Sequence, residues 1–191
     1  MKTKASIFEY NNHMQKLPRS FFNRPTLQVA KELLSKVLVI GDCSGRINEV
    51  EAYIGQDDPA CHACRGKTKR NEVMFGPAGH LYVYFTYGMY HCANIVTERK
   101  GFPAAVLIRS IKPLSGIETI KKRRERNEHL ADGPGKLCIA LGMTKKSHNG
   151  KDLCGSSDCF VYDDGFVPKK IRKSPRIGIR VGLDKKWRFF Y

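Results

Sequence analysis

The chain has 191 residues, with 34 Lys plus Arg against 18 Asp plus Glu, a formal net charge of +16. That length suits one domain with a sizeable core, and the charge points to a polyanionic partner, nucleic acid first and an anionic membrane surface second. No run of about 20 apolar residues exists, which excludes a transmembrane helix, and the polar opening residues lack a secretory-type apolar stretch. Seven cysteines, an odd number scattered from Cys43 to Cys159, argue against a complete disulfide framework and for a reducing, intracellular compartment. The competing reading of the charge is a solvated basic surface kept for solubility.

In chain order, residues 1–16 are expected to form a flexible arm and 17–191 one domain, with irregular chain running to about Phe21 and a turn at Pro25. Thr26 is placed to cap a helix over 27–37, where Leu27, Ala30, Leu33, Leu34 and Val37 recur at helical spacing. Strands are predicted at 37–40 and 46–54, joined by the turn 41–45, and a polar loop fills 55–70. The alternating aromatic run 80–85, a turn at 86–89 and a strand over 90–96 make a β-hairpin with an aromatic tip. A nearly all-apolar strand at 104–110 looks central. Ser115 and Glu118 form a capping box for a helix reaching about Asn127 with a strongly basic far end. The break at 132–136 leads into an apolar helix, 137–141. The loop beyond it is rich in Lys, Gly and Asp. A closing strand is predicted at 174–181, and the aromatic end 187–191 is expected to pack on the body. Without regular βαβ alternation, the class is α+β, a single domain with a mainly antiparallel sheet.

Four features could carry chemistry. In a strand over 46–54, residues 47, 49, 51 and 53 share a face, so Glu51 would lie beside Ile47 and Tyr53, partly desolvated and more basic for it. A salt-bridged or edge-exposed glutamate is the plainer alternative. The tyrosines at 53, 82, 84, 87 and 90, with His62, could stack on bases held outside a helix, each contact worth ~1–3 kcal/mol, or simply line a hydrophobic sheet. Tyr82 and Tyr84 share one strand face, and Leu81, Val83 and Phe85 the other. Tyr87, at a hairpin tip beside Gly88, is hard to explain as core and suggests a wedge for a nucleic-acid duplex. Cys61, His62 and Cys64 could begin a zinc site, but only the distant Cys154 and Cys159 offer further ligands. Residues 132–136 before a helix could present N–H groups and an ammonium to a phosphate, without the full pattern of a nucleotide-hydrolysing loop.

Together these segments resemble the alkyladenine (3-methyladenine) DNA glycosylase family. The likeness runs through Val50-Glu-Ala-Tyr-Ile-Gly55, His62, Arg65-Gly66-Lys67-Thr68, Arg70-Asn71, Met74-Phe75-Gly76-Pro77, Leu81-Tyr-Val-Tyr84 and Tyr87-Gly-Met89. It continues in Asn94, Val106-Leu-Ile-Arg109, Gly133-Pro134, Lys136-Leu137-Cys138 and Pro175-Arg-Ile-Gly178. The resemblance implies a curved antiparallel sheet flanked by helices, with a protruding hairpin inserted in the DNA minor groove. It implies an intracellular, monomeric enzyme that flips alkylated or deaminated purines out of duplex DNA and hydrolyses the N-glycosidic bond, with no metal and no cofactor. By motif position Glu51 would activate water and Arg109 help hold it, with the Ile177 carbonyl as a further water ligand. Tyr53, His62 and Tyr84 would sandwich the base, and Asn94 would discriminate against the exocyclic amine of guanine. Tyr87 would fill the gap in the stack, with Met89 and Tyr90 beside it on the DNA, and Arg70 and Lys136 would touch phosphates.

No lysine falls in the matching pocket motif, so no Schiff-base lyase step is expected. Lys69 and Cys64 depart from the family's bacterial pattern, which usually has proline and often an aromatic there. A non-catalytic nucleic-acid binder would keep the basic surface and the aromatic hairpin but would not need Glu51.

Overall fold

The computed structural model describes residues 15–191; residues 1–14 of the expected arm lie outside them. The chain opens with β1 (Gln15–Lys16), α1 (Arg19–Phe22), α2 (Thr26–Leu33), β2 (Val37–Ile40) and β3 (Cys43–Ile54). After a loop and a 3-10 turn at Glu72–Phe75 come β4 (Leu81–Thr86), β5 (Tyr90–Val96) and β6 (Ala104–Ser115). Then follow α3 (Ile117–Arg124), α4 (Pro134–Leu141), α5 (Lys145–His148), β7 (Cys159–Asp163), β8 (Arg172–Ser174) and β9 (Arg188–Phe190). The strands pair antiparallel in the order β1-β7-β2-β3-β6-β5-β4, and β9 pairs with both β3 and β8. The domain is α+β with a mainly antiparallel open sheet.

Alternation along four strands divides the sheet's two faces between two tasks. Val50 and Ala52 of β3, Leu81 and Val83 of β4, Ala93 and Ile95 of β5, and Val106 and Ile108 of β6 enter the main core. That core also takes Val29, Ala30 and Leu33 of α2 and Leu137, Ala140 and Leu141 of α4. The opposite positions (Glu51, Tyr53, Tyr82, Tyr84, Cys92, Asn94, Leu107 and Arg109) gather on the other side, over a small second cluster built on Cys61, Ala63 and Met74.

Ile47 is not on the Glu51 face. Register shifts between Ile47 and Val50 insert an irregularity in β3, which moves Ile47 into the main core with Val50 and Ala52. The expected apolar neighbour of Glu51 is therefore Tyr53 alone on that strand.

Several boundaries move for identifiable reasons. Thr26 opens α2 but does not cap it: its hydroxyl meets Thr97 and Glu98, and the Glu98 carboxylate accepts the Thr26 N–H at 2.8 Å. The helix stops at Leu33, because Leu34 is extended and Ser35 has φ +79°. The Ser115–Glu118 box does not form, since β6 runs through Ser115 and Gly116 caps α3 at φ +67°. A side chain there would be strained in conformation, and its Cβ would stand 2.8 Å from the Asp42 carbonyl. That helix ends at Arg124 rather than near Asn127, with Glu125 in the left-handed region.

The loop after α4 hides β7, a short strand between β1 and β2. The closing strand predicted at 174–181 is absent: β8 ends at Ser174, Pro175 follows, and the chain crosses the sheet face as an irregular strap. The aromatic end does pack on the body. β9 lies along residues 49–51 of β3 and buries Phe189, a burial worth roughly 1.5–3 kcal/mol.

Candidate functional site

A cavity of about 190 Å³ opens on the sheet face opposite the main core. Tyr53, His62, Tyr82, Tyr84, Cys92, Asn94, Leu107 and Arg109 line it from the sheet and the loop after β3, with Pro134 of α4, the strap residues Ile177 and Gly178, and Tyr87 at the rim. Glu51 lies one layer behind, fully buried. Its carboxylate accepts the Ile177 N–H at 2.7 Å and the Tyr53 hydroxyl at 2.9 Å, and Arg109 Nη1 stands 3.3 Å from it. A buried anion without partners would be costly, and these three donors supply the compensation.

Arg109 is itself anchored, its Nε donating to Glu49 at 2.6 Å, and Arg188 donates to the same Glu49 oxygen at 2.7 Å. Burial opposes the charge on Arg109, but Glu51 and Glu49 more than offset it and hold its pKa above the ordinary value. Burial likewise opposes charge on Glu49, while Arg188 and Arg109 hold its carboxyl below the usual range. Burial, then the negative charge of Glu51, pushes the Tyr53 phenol far up, so its proton stays available to donate. Burial raises Tyr84 as well and carries Tyr82 to about 12.

The aromatic wall is one packed unit. His62 Nδ1 meets the Tyr82 hydroxyl at 2.9 Å, and the His62 ring stands edge-on to Tyr84 with centroids 4.5 Å apart. Arg70 lies over the outer Tyr84 face, 5.5 Å from its centroid. Asn94 is buried and donates to the Tyr82 carbonyl at 3.1 Å.

Burial, then the charge of Arg70, lowers the His62 pKa below the ordinary 6.5. As pH falls through 6.5 the unfolded chain therefore takes up the proton first, and folded stability declines. His148, lowered by burial and Lys151, contributes in the same sense. Replacing His62 with Gln is expected to flatten, without abolishing, the fall in melting temperature between about pH 7 and pH 5. Thermal melts across that range with an unaltered slope would mean that His62 titrates alike in both states.

The hairpin of β4 and β5 closes over Tyr87, Gly88 and Met89. Tyr87 is 79% exposed and sits at φ +51° before Gly88 at φ +67°; Met89 is also exposed. The Tyr87 hydroxyl reaches toward the strap, 3.8 Å from where a Cβ on Gly178 would stand. Tyr90 packs against Gly135 in the first turn of α4, and Lys136 one residue on is paired with Asp132 at 2.9 Å. That pair is surface-exposed and worth little, so a phosphate can compete for the ammonium.

The structure thus brings Tyr53, His62, Tyr84, Tyr87, Asn94 and Arg109 to one cavity, with Glu51 held by three residues of its wall, Arg70 on Tyr84, Met89 beside Tyr87 in the hairpin turn, and Tyr90 and Lys136 at the first turn of α4. The Cys61, His62 and Cys64 alternative gains no further ligand: Cys61 is buried with its thiol raised to about 11 by burial, and no group of three or more His, Cys, Asp or Glu among the described residues could hold a metal. Sequence reasoning missed Glu49, Asp58, Arg176 and Arg188. Glu49 and Arg176 were charges inside segments predicted to be strands, whereas Asp58, in a polar loop, and Arg188, in the aromatic end, carried no signal of their own.

The model of the Methylpurine-DNA glycosylase (MPG) family matches residues 20–191. A protein of Sodalis glossinidius is 57% identical over 173 residues, covering 91% of this chain and 95% of its own. One from Methanocella arvoryzae is 49% identical over 187 residues, covering 93% and 92%, and one from the Wolbachia of Culex pipiens is 53% identical, covering 91% and 88%. Each carries the name 3-methyladenine DNA glycosylase as a provisional assignment. With the match spanning β2 through β9 and every wall of the cavity, the chain belongs to the methylpurine-DNA glycosylase family.

Proposed function

We propose that this enzyme extrudes an alkylated or deaminated purine from duplex DNA into the aromatic cavity and hydrolyses its N-glycosidic bond, with Glu51 as general base. The observation that carries the reading is a fully buried carboxylate whose three donors, from Tyr53, Arg109 and Ile177, all belong to residues lining one aromatic cavity. In the reaction the bond from the sugar C1′ to the base nitrogen breaks with its electron pair going to the base, and positive charge develops on the sugar. A water admitted between Glu51, Arg109 and the Ile177 carbonyl adds its oxygen to C1′ while Glu51 takes its proton. An anion behind the sugar both stabilises the developing charge and activates the water, without metal or cofactor. A purine alkylated on N3 or N7 already carries positive charge and leaves neutral; a neutral purine such as hypoxanthine leaves as an anion and takes up a proton from water, which balances the one passed to Glu51.

Tyr53, His62 and Tyr84 would hold the extruded base, and Asn94 would test its edge. Tyr87 would occupy the vacated stack, with Arg70, Met89, Tyr90 and Lys136 on the duplex. No lysine lines the cavity among the described residues, which supports a single hydrolytic step without a lyase reaction. A monomer suffices for all of this. The test is a duplex carrying hypoxanthine or ethenoadenine, incubated with enzyme in EDTA and then treated with alkali. Strand cleavage only after alkali is the expected result. Tight binding without abasic sites would leave a nucleic-acid binder, and cleavage before alkali would add a lyase.

Replacing Tyr87 with Ser is expected to change stability by no more than about 0.5 kcal/mol, because the ring is exposed. Excision from duplex should slow more than excision from a single strand, where flipping costs less. Equal losses on the two substrates would remove the wedge role.

A further inference from the structure

The strap is pinned beside Glu51 by an ion pair that the proposed chemistry does not use. The Arg176 side chain is 0% exposed and that of Asp58 1%. Arg176 Nη1 donates to Asp58 at 2.5 Å and to the Ala52 carbonyl at 2.9 Å, and Nη2 donates to the other Asp58 oxygen at 2.7 Å. The guanidinium lies over the Tyr53 ring at 4.6 Å and the Trp187 ring at 5.2 Å, and only Nε has no partner. Asp58 also accepts the Ile54 and Ala60 N–H groups at 3.3 and 3.2 Å, which ties it into the loop after β3. Gly182 covers the pair: a Cβ there would stand 3.0 Å from Arg176 Nη2, on a backbone at φ +66°.

Three connections from this pair run to the surroundings of Glu51. Ile177, whose N–H holds the Glu51 carboxylate, is the next residue after Arg176. Tyr53, whose hydroxyl holds the other carboxylate oxygen, stacks on the guanidinium. Ala52, whose carbonyl accepts from Nη1, adjoins Glu51 in β3. A buried ion pair is seldom favourable for stability against apolar packing of the same volume, so stability alone is a poor account of this one. A planar, bidentate fork does fix direction and distance.

We infer that Arg176 and Asp58 are positioning residues that set the Ile177 N–H and the Tyr53 hydroxyl on Glu51, and through them the orientation of its carboxylate in base excision. Neither residue lines the cavity, so neither touches substrate. The inference rests on the reading of Glu51 as the base.

The experiment compares Arg176→Met, Arg176→Lys and Asp58→Asn with wild type in three measurements. These are thermal melting, affinity for a duplex with a tetrahydrofuran abasic-site analogue, and single-turnover excision of hypoxanthine at saturating enzyme. Arg176→Met loses stability, and Arg176→Lys regains most of it because the buried charge pair re-forms. Excision by Arg176→Lys is expected to stay about ten- to a hundredfold slow, with affinity changed less than about threefold, because an ammonium lacks the fork that sets the strap. Asp58→Asn gives the same split. Recovery of rate together with stability in Arg176→Lys overturns the proposal, as does failure of both Arg176→Lys and Asp58→Asn to fold, since the pair would then hold the whole domain. Glu51→Gln is run alongside: excision by that variant defeats the reading of the base itself, whereas an inactive Glu51→Gln beside a normal Arg176→Lys defeats only the positioning role.

Discussion

Glu51→Gln is expected to slow base release by about 10²–10⁴ while leaving duplex affinity nearly unchanged, the scale at which a general base contributes. The substitution keeps the shape of a side chain that is wholly buried, and no atom of Glu51 lines the cavity, so the surface met by DNA stays the same. On the proposed mechanism, what would change is the proton acceptor and the charge behind the sugar. The Ile177 N–H and Arg109 can only donate and both face one carboxylate oxygen, whereas the Tyr53 hydroxyl at the other can turn to accept, so a glutamine can keep its oxygen on the first pair and give its NH₂ to Tyr53. Removing the charge opposite buried Arg109 costs stability too, because it leaves the guanidinium with less compensation. The rate is therefore measured per folded molecule, in single turnover, beside a melting curve. Excision within a few-fold of wild type by folded Glu51→Gln would remove Glu51 from the mechanism.

Much of this arrangement could be read before any coordinates, and the parts that could not have physical reasons. The hairpin was legible because the run 80–85 alternates, a second strand-forming run follows at 90–96, and the turn between them carries a glycine. The structure puts Leu81 and Val83 in the core and Tyr82 and Tyr84 in the cavity wall accordingly. Glu51 was placed on the correct face with an incorrect neighbour, because a strand irregularity at residues 47–50 changes the parity of everything before it, and no period-2 argument detects that. Caps failed for a related reason. The group that satisfies the start of α2 is Glu98, which lies 72 residues away, so a rule limited to local spacing assigned the task to Thr26. The strap was misread because apolar residues at 177, 179 and 181 mimic a strand. Their alternation instead reflects Arg176 turned inward to Asp58 while Ile177 and Ile179 edge the cavity.

Affinity for duplex DNA is expected to fall by about three decades or more between ~50 and ~200 mM salt, the loss that accompanies some 6–10 neutralised phosphates. The supply of cations is ample at +16 overall, and their placement suits a duplex lying across the cavity mouth. Arg70 stands at the Tyr84 edge, Lys136 follows Pro134 at the α4 edge, and exposed Arg180 follows Ile179 on the strap. Each of the three adjoins a residue that lines the cavity. Lys136 gives up only an exposed pair with Asp132 on binding phosphate, a cost of at most about 1 kcal/mol. Each released counterion contributes through mass action, so replacing Arg70 or Arg180 with Ser is expected to lower the slope of log affinity against log salt by about one unit apiece. The same replacements should weaken undamaged and damaged duplex alike, because phosphates carry no information about the lesion. The measurement is a salt titration of duplex binding, by anisotropy, for wild type and both variants. An affinity that barely moves across the range would mean that the positive charge serves a partner other than DNA. A slope untouched by both substitutions would put the duplex on a different face from the cavity mouth.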